Sequence, residues 1–132
     1  MSVVDASVWI DVLRDATGAR RRRLNQLVDP RDVVLCRVTE MELLQGARDE
    51  HEWRRLAAYL DTQEYLEPNH GTWKEAARLF FDLRRQGLTI RSPMDCLIAQ
   101  AAIEHRELLL HRDRDFETIA RVRPLQQAWV EW

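Results

Sequence analysis

Short, continuous apolar runs that pass directly into helical patterns constrain this chain more than any other feature of its sequence. The first run is Ser2–Val4, which ends at Asp5 and leads into a helical pattern with Ser7 as a candidate cap. The second is Val33–Cys36, and a third, very short run covers residues 108–110. Such runs are typical of strands covered on both faces, and strands that alternate with helices predict a parallel sheet between two helical layers.

Weaker patterns complete the predicted architecture. Residues 63–66 form a candidate strand, and residues 126–130 form a candidate strand at one edge of the sheet. Thr39 with a glutamate three residues later, and Thr72 with another, match the T-x-x-E capping box. Ser92 precedes a proline and has an acid at the third helical position, which is a strong helix start.

The composition describes one soluble globular domain spanning residues 1–132. The net charge of −2 excludes a strongly basic, polyanion-seeking protein, although every basic residue except Lys74 is an arginine. Cys36 and Cys96 lack metal-type spacing, so we expect buried, reduced thiols. No apolar run approaches the ~18 residues of a membrane span, and no signal peptide precedes the first strand, so we expect a cytoplasmic protein without membrane contact.

Arg20 to Arg23 form a run of four arginines inside a predicted helix over residues 19–28. Consecutive residues on a helix point in different directions, so the four side chains cannot form one flat basic face. A solvated, partly packed cluster and a contact with nucleic acid or an acidic partner both remain open.

Four acids that are distant in sequence are predicted to meet at one edge of the sheet. Asp5 ends the first strand, and Asp113 lies just past the fourth. Glu42 and Asp95 lie in the first turns of helices that begin at the same edge. Close carboxylates raise one another's pKa unless a cation lies between them. Mg²⁺ or Mn²⁺ is the natural occupant, because both prefer oxygen ligands.

Each acid also has a simpler structural explanation when it is taken alone. Asp5 could cap a helix, and Glu42 could be the back-reaching partner of a capping box. Asp95 could serve only the helix dipole, and Asp113 and Asp115 could be loop charges paired with neighbouring arginines. The joint placement of the acids at one edge is what favours a functional site.

Four segments carry these acids in order along the chain. They are VVDASVWID, TEMELLQGA, SPMDCLIAQAA and LLLHRDRDF. As a set they resemble the motifs of the PIN-domain family, specifically its VapC-type toxin ribonucleases. The resemblance assigns the family's glutamate to Glu42 rather than Glu40, and Gln100 stands where the family usually has alanine. It implies a three-layer α/β/α sandwich with a short, mostly parallel five-stranded sheet in the order 3-2-1-4-5.

The resemblance also implies Mg²⁺-dependent hydrolysis of RNA phosphodiester bonds, with Mn²⁺ as a possible substitute. Asp5, Glu42, Asp95 and Asp113 are then the catalytic acids, and all except Glu42 bind the metal. The accessory residues are Asp115 and Ser7, where Ser7 either donates to a phosphate or to a metal-bound water, or serves only as a helix cap. The candidates for contacts with RNA phosphates are Arg112 and Arg114.

The partners that the resemblance implies are an RNA substrate, a VapB-like antitoxin of a type II toxin–antitoxin system, and a second copy of the chain. A groove between the helices at 39–47 and 50–60 is a candidate antitoxin site, with ordinary core packing as the alternative. The dimer could use elements near Trp129 and Trp132 or the helix at 72–86. The sequence names neither the RNA nor the dimer interface.

Other functions remain open at this stage. A haloacid-dehalogenase-type phosphatase also begins with an acid at a strand end, but it generally needs a second aspartate two residues later, where this chain has Ser7. A PIN nuclease of RNA processing, and a PIN-like module that binds without cleaving, fit the motifs as well. The four histidines show no metal-ligand spacing.

Overall fold

The computed structural model describes all residues from Met1 to Trp132, and its centre is a sheet of five parallel strands. The strands are β1 (Ser2–Val4), β2 (Val33–Cys36), β3 (Tyr65–Leu66), β4 (Leu108–His111) and β5 (Gln127–Trp129). Their order is β3-β2-β1-β4-β5, and every pairing is parallel. The predicted α/β class and strand order are confirmed, while both edge strands are shorter than predicted.

Seven α-helices cover the two faces of the sheet. They are α1 (Ala6–Arg14), α2 (Ala19–Leu27), α3 (Arg37–Leu44), α4 (Glu50–Leu60), α5 (His70–Arg85), α6 (Pro93–Glu104) and α7 (Arg114–Ile119). Adjacent residues of β1 belong to different hydrophobic clusters: Val3 packs with α5, α6 and α7, whereas Val4 packs with α1, α2 and α4. This alternation places the sheet between two helical layers, and it explains why β1 is apolar at both positions. None of the helices is long and apolar enough to span a membrane.

Two of the predicted helix starts are wrong, and the third is confirmed. Helix α3 begins at Arg37 directly after β2, so Thr39 is a fully buried residue of the first turn rather than the cap. Helix α5 is capped by Asn69, whose side chain accepts the amide N–H of Thr72 at 3.0 Å. Thr72 is therefore the third-position partner of that capping box. Ser92 caps α6 as predicted, because its hydroxyl accepts the amide N–H two residues on.

Candidate active site

Asp5 lies where β1 passes into α1, at the carboxyl edge of the central strand. It is the N-cap of α1, and its Oδ2 accepts the amide and hydroxyl hydrogens of Ser7 at 3.0 and 2.6 Å. Only 4% of Asp5 is exposed, and this burial raises the pKa of its carboxyl despite the bonds from Ser7. Asp5 is thus a helix cap as well as a buried acid of the site, and the two explanations for it are compatible.

Ser7 is not the cap of α1, because Asp5 occupies that position. Its hydroxyl donates to Asp5 and accepts the amide N–H of Arg112 at 2.9 Å. Ser7 therefore ties the end of β1 to the end of β4, and its hydroxyl orients the carboxylate of Asp5.

Asp95 occupies the third position of α6, where the cap at Ser92 and the proline after it begin the helix. It is 7% exposed, and the pKa of its carboxyl is raised to about 8 by burial and by repulsion from Asp113 and Asp5. A helix N-terminus favours a negative charge. Here burial and the neighbouring acids raise the pKa of Asp95 by more than the helix N-terminus lowers it. The carboxylate therefore lacks a compensating positive charge.

Asp113 and Asp115 follow β4 and complete the cluster. Asp113 caps α7, and its Oδ1 accepts the amide N–H of Asp115 at 2.9 Å. The backbone of Asp113 is fixed by the fully buried His111, whose Nδ1 accepts its N–H at 3.1 Å. One oxygen each from Asp95, Asp113 and Asp115 lie within 4.8 Å of one another. That separation is close to the ~4 Å between opposite ligands of one Mg²⁺ ion.

Glu42 points a carboxylate oxygen, Oε1, into a buried position where it has no hydrogen-bond partner. Burial raises the pKa of Glu42 to about 7, and repulsion from Asp5 and Asp113 adds to this effect. The capping-box explanation for Glu42 is wrong, because α3 is capped at Cys36. Glu40, the other glutamate of this helix, is instead paired with Arg37 at 3.1 Å.

Arg91 is the residue of the site that the sequence analysis missed. Its Nη2 lies 2.7 Å from Asp113 Oδ2, its Nε lies 3.4 Å from Asp115 Oδ2, and its amide N–H donates to the same oxygen of Asp115 at 3.0 Å. No other basic side chain lies within ion-pair distance of the five acids. Arg91 directly precedes the cap of α6, which begins at the acidic edge. This position is the one sequence feature that could have predicted its place in the site.

The two arginines that were predicted to contact RNA have different surroundings in the structure. Arg112 lies 3.1 Å from Asp11, donates to the carbonyl of Val130 and lies over the ring of Trp129. These contacts hold its guanidinium against α1 and the C-terminal segment, and a phosphate contact of Arg112 stays a prediction. Arg114 is exposed and has no ion pair, so it stays a candidate.

The run of four arginines does not form a common face. Arg21 lies over the ring of Trp9 and donates to the hydroxyl of Tyr59 at 3.0 Å, and Arg20 lies over Trp132. Arg22 and Arg23 are exposed. This is a partly packed cluster on α2, and none of its four arginines forms an ion pair with the five acids.

The donor set at this edge fits a hard divalent cation. Five carboxyl groups lie at this edge and only two of them pair with a guanidinium, while burial and mutual repulsion raise the pKa values of Asp95 and Glu42. The orphaned oxygen of Glu42 is a further unfilled acceptor. The two thiols do not fit a soft metal, since burial raises the pKa of Cys36 to about 11 and that of Cys96 to about 12.

Comparison with known proteins agrees with this geometry. The model of the PIN domain family matches residues 2–122. VapC ribonuclease Mb1587 of Mycobacterium bovis and ribonuclease VapC11 of Mycobacterium tuberculosis are each 35% identical, over 97% of this chain and 98% of theirs. The fold is similar to that of VapBC2 from Rickettsia felis bound to a promoter DNA fragment, with a TM-score of 0.77 and 18% identity over 98% of both chains. The chain therefore belongs to the PIN domain family and, within that family, to the VapC group.

Proposed function

We propose that this protein is a metal-dependent endoribonuclease and the toxin of a VapBC-like toxin–antitoxin pair. The observation that carries the proposal is the convergence of Asp5, Glu42, Asp95, Asp113 and Asp115 at the carboxyl edge of the sheet. The relatives that match over nearly their full length are named ribonucleases, which supports RNA as the substrate.

Asp5, Asp95 and Asp113 would hold the cation, and each enters the site from a rigid element. A divalent cation such as Mg²⁺ supplies positive charge to the phosphate and lowers the pKa of a water molecule. Ser7 keeps the carboxylate of Asp5 in place, and His111 does the same for the backbone of Asp113. Glu42, whose buried Oε1 has no hydrogen-bond partner in the protein, is suited to accept a proton from the attacking water.

Asp113 is the better candidate for the fourth acid than Asp115. Its charge raises the pKa of Asp5, Glu42 and Asp95 alike, whereas Asp115 acts among these three only on Asp95. Asp113 is therefore central to the cluster, and Asp115 is an accessory acid beside it. Cleavage that survives Asp113→Asn but not Asp115→Asn would reverse this assignment.

Glu42→Gln is expected to reduce RNA cleavage by at least about tenfold, because it removes a proton acceptor. Glu40→Gln is the matched control, since Glu40 lies on the same helix but pairs with Arg37. Both variants should be assayed on a mixed RNA pool with Mg²⁺ and again with EDTA. Equal activity of the two variants would remove Glu42 from the mechanism, and cleavage that persists in EDTA would refute metal dependence.

The partner proposals rest on exposed apolar surface. Met41 on α3 and Trp53 on α4 are 52% and 44% exposed, which supports an antitoxin site near these helices. Trp73 and Phe81 line an exposed side of α5, which supports a homodimer through that helix. Light scattering of the purified chain, with Phe81→Glu as the disrupting variant, tests the dimer. A monomer in the unchanged protein would contradict it.

A non-catalytic PIN-like module and an RNA-processing nuclease are the competing functions. Inactivity of the purified protein on RNA in Mg²⁺ and in Mn²⁺ would favour the first. Growth arrest on expression, relieved by co-expression of a small DNA-binding protein encoded beside it, would favour the toxin over the second.

A further inference from the structure

We propose that Arg91 is the phosphate-binding arginine of this site and that it competes with the metal for Asp113 and Asp115. In the absence of metal its guanidinium pairs with these two acids. A cation held by these acids would leave the guanidinium available to bind a phosphate of the RNA. The inference rests on the proposed nuclease function, and it adds a residue that acts on substrate.

The main chain of Arg91 is fixed, while most of its side chain is exposed to solvent. Its amide N–H donates to Asp115 at 3.0 Å, which anchors the backbone at the rim of the cluster. The side chain is 77% exposed, whereas those of Asp113 and Asp115 are 16% and 12% exposed. A long side chain on a fixed backbone can exchange one anionic partner for another without moving the rest of the site.

The guanidinium and a cation would draw on the same carboxylates. Oδ1 of Asp113 already accepts the amide N–H of Asp115, and Oδ2 accepts Arg91 at 2.7 Å. A cation held through Asp95 and Asp113, with Asp115 beside it, would compete for the negative charge of these carboxylates and so weaken the pairs made by Arg91. A released guanidinium has several fixed donors that match the oxygens of a phosphate.

No other arginine of the chain combines contact with the acids and access to solvent. Arg112 is 26% exposed on its side chain and is paired with Asp11. Arg114 is exposed, but it makes no ion pair with the cluster.

The test measures metal binding and RNA cleavage separately in the Arg91→Gln variant. Calorimetric titration with Mn²⁺ should show affinity several-fold higher than in the unchanged protein, because a competing cation has been removed. The KM for RNA should rise about tenfold, with a smaller change in kcat, because a charge-assisted phosphate contact is lost. Arg91→Lys keeps the charge, so its Mn²⁺ affinity should stay near that of the unchanged protein while its KM rises.

Arg31→Gln is the matched control. Arg31 is an exposed arginine paired with an aspartate, but it lies just before β2 at the opposite edge of the sheet, so neither its Mn²⁺ affinity nor its KM should change. Unchanged or weaker Mn²⁺ binding in Arg91→Gln would overturn the competition, and an unchanged KM would overturn the phosphate contact. If the unchanged protein does not cleave RNA, the proposed function fails, whereas the Mn²⁺ titration still decides the competition.

Discussion

Asp95→Asn is expected to abolish RNA cleavage and, at the same time, to stabilise the metal-free protein. The two effects have one cause, which is a carboxylate held in a buried site among like charges. Burial, Asp113 and Asp5 raise the pKa of Asp95 to about 8. Asparagine has almost the same shape but no charge, so it removes this repulsion.

The size of each effect follows from the site. Residues that only orient a metal ligand cost about 10- to 100-fold in activity when mutated, so loss of a ligand should cost more than about 100-fold. Above pH 8, where Asp95 is ionised in the folded protein, the free energy of unfolding in EDTA should rise by on the order of 3 kcal/mol. Urea unfolding and an RNA cleavage assay measure the two quantities.

Asp11→Asn is the control with the opposite expectation. Asp11 is ion-paired with Arg112 and accepts the indole N–H of Trp132, so its amide variant should lose stability and retain cleavage. If Asp95→Asn cleaves RNA normally, the role of Asp95 is structural and the proposed metal site is wrong. If the variant is inactive but less stable in EDTA, the repulsion described here does not govern this site.

The edge at which the acids meet could be predicted because parallel strands impose it. The carboxyl ends of all strands in such a sheet lie at the same edge. An acid that follows a strand therefore lies at that edge whatever the conformation of the loops. Asp5 directly follows β1, and Asp113 follows β4 after one residue. For these two residues, recognising the strands was sufficient to place them.

The contacts of the arginines could not be predicted, because long side chains are directed by distant residues. Arg112 and Arg91 both lie at the acidic edge. Arg112 lies over the ring of Trp129 in β5 and donates to the carbonyl of Val130, the residue after that strand. Arg91 donates to Asp113, which lies 22 positions further along the chain. Neither pairing leaves a local pattern in the sequence.

The predicted helix cap at Thr39 was wrong for a related reason. Thr39 and its glutamate match a capping box, but the helix begins two residues earlier, because β2 runs into it without a loop. Thr39 is consequently packed in the interior. A capping motif predicts a helix start only when the preceding residue has already left the strand, and the sequence does not show where that happens.

The stability of the metal-free protein is expected to fall as the pH rises from about 5 to about 8. Asp5, Glu42 and Asp95 have raised pKa values in the folded protein, with Glu42 at about 7 and Asp95 at about 8. The folded state therefore keeps protons that the unfolded chain has already released, and each further rise in pH favours the unfolded chain. The decline should end once the pH exceeds the folded pKa of Asp95.

Exposed aspartates set the acid side of this profile. Hydrogen bonds from Thr17 and Arg31 lower the pKa values of Asp15 and Asp29 to about 2, so their contributions are present at pH 5 and are lost as the pH falls toward 2. The free energy of unfolding in EDTA should therefore be highest near pH 5. Urea unfolding across this range measures the whole curve.

Excess Mg²⁺ should remove most of the decline between pH 5 and 8. Only ionised carboxylates bind the cation, so the stabilisation by binding grows with pH where the metal-free protein loses stability. Asp95→Asn should flatten the curve even in EDTA, because one of the titrating groups is gone. If the free energy of unfolding declines with equal slope with and without Mg²⁺, the acids with raised pKa values at this edge do not bind the ion. The metal would then have to bind elsewhere.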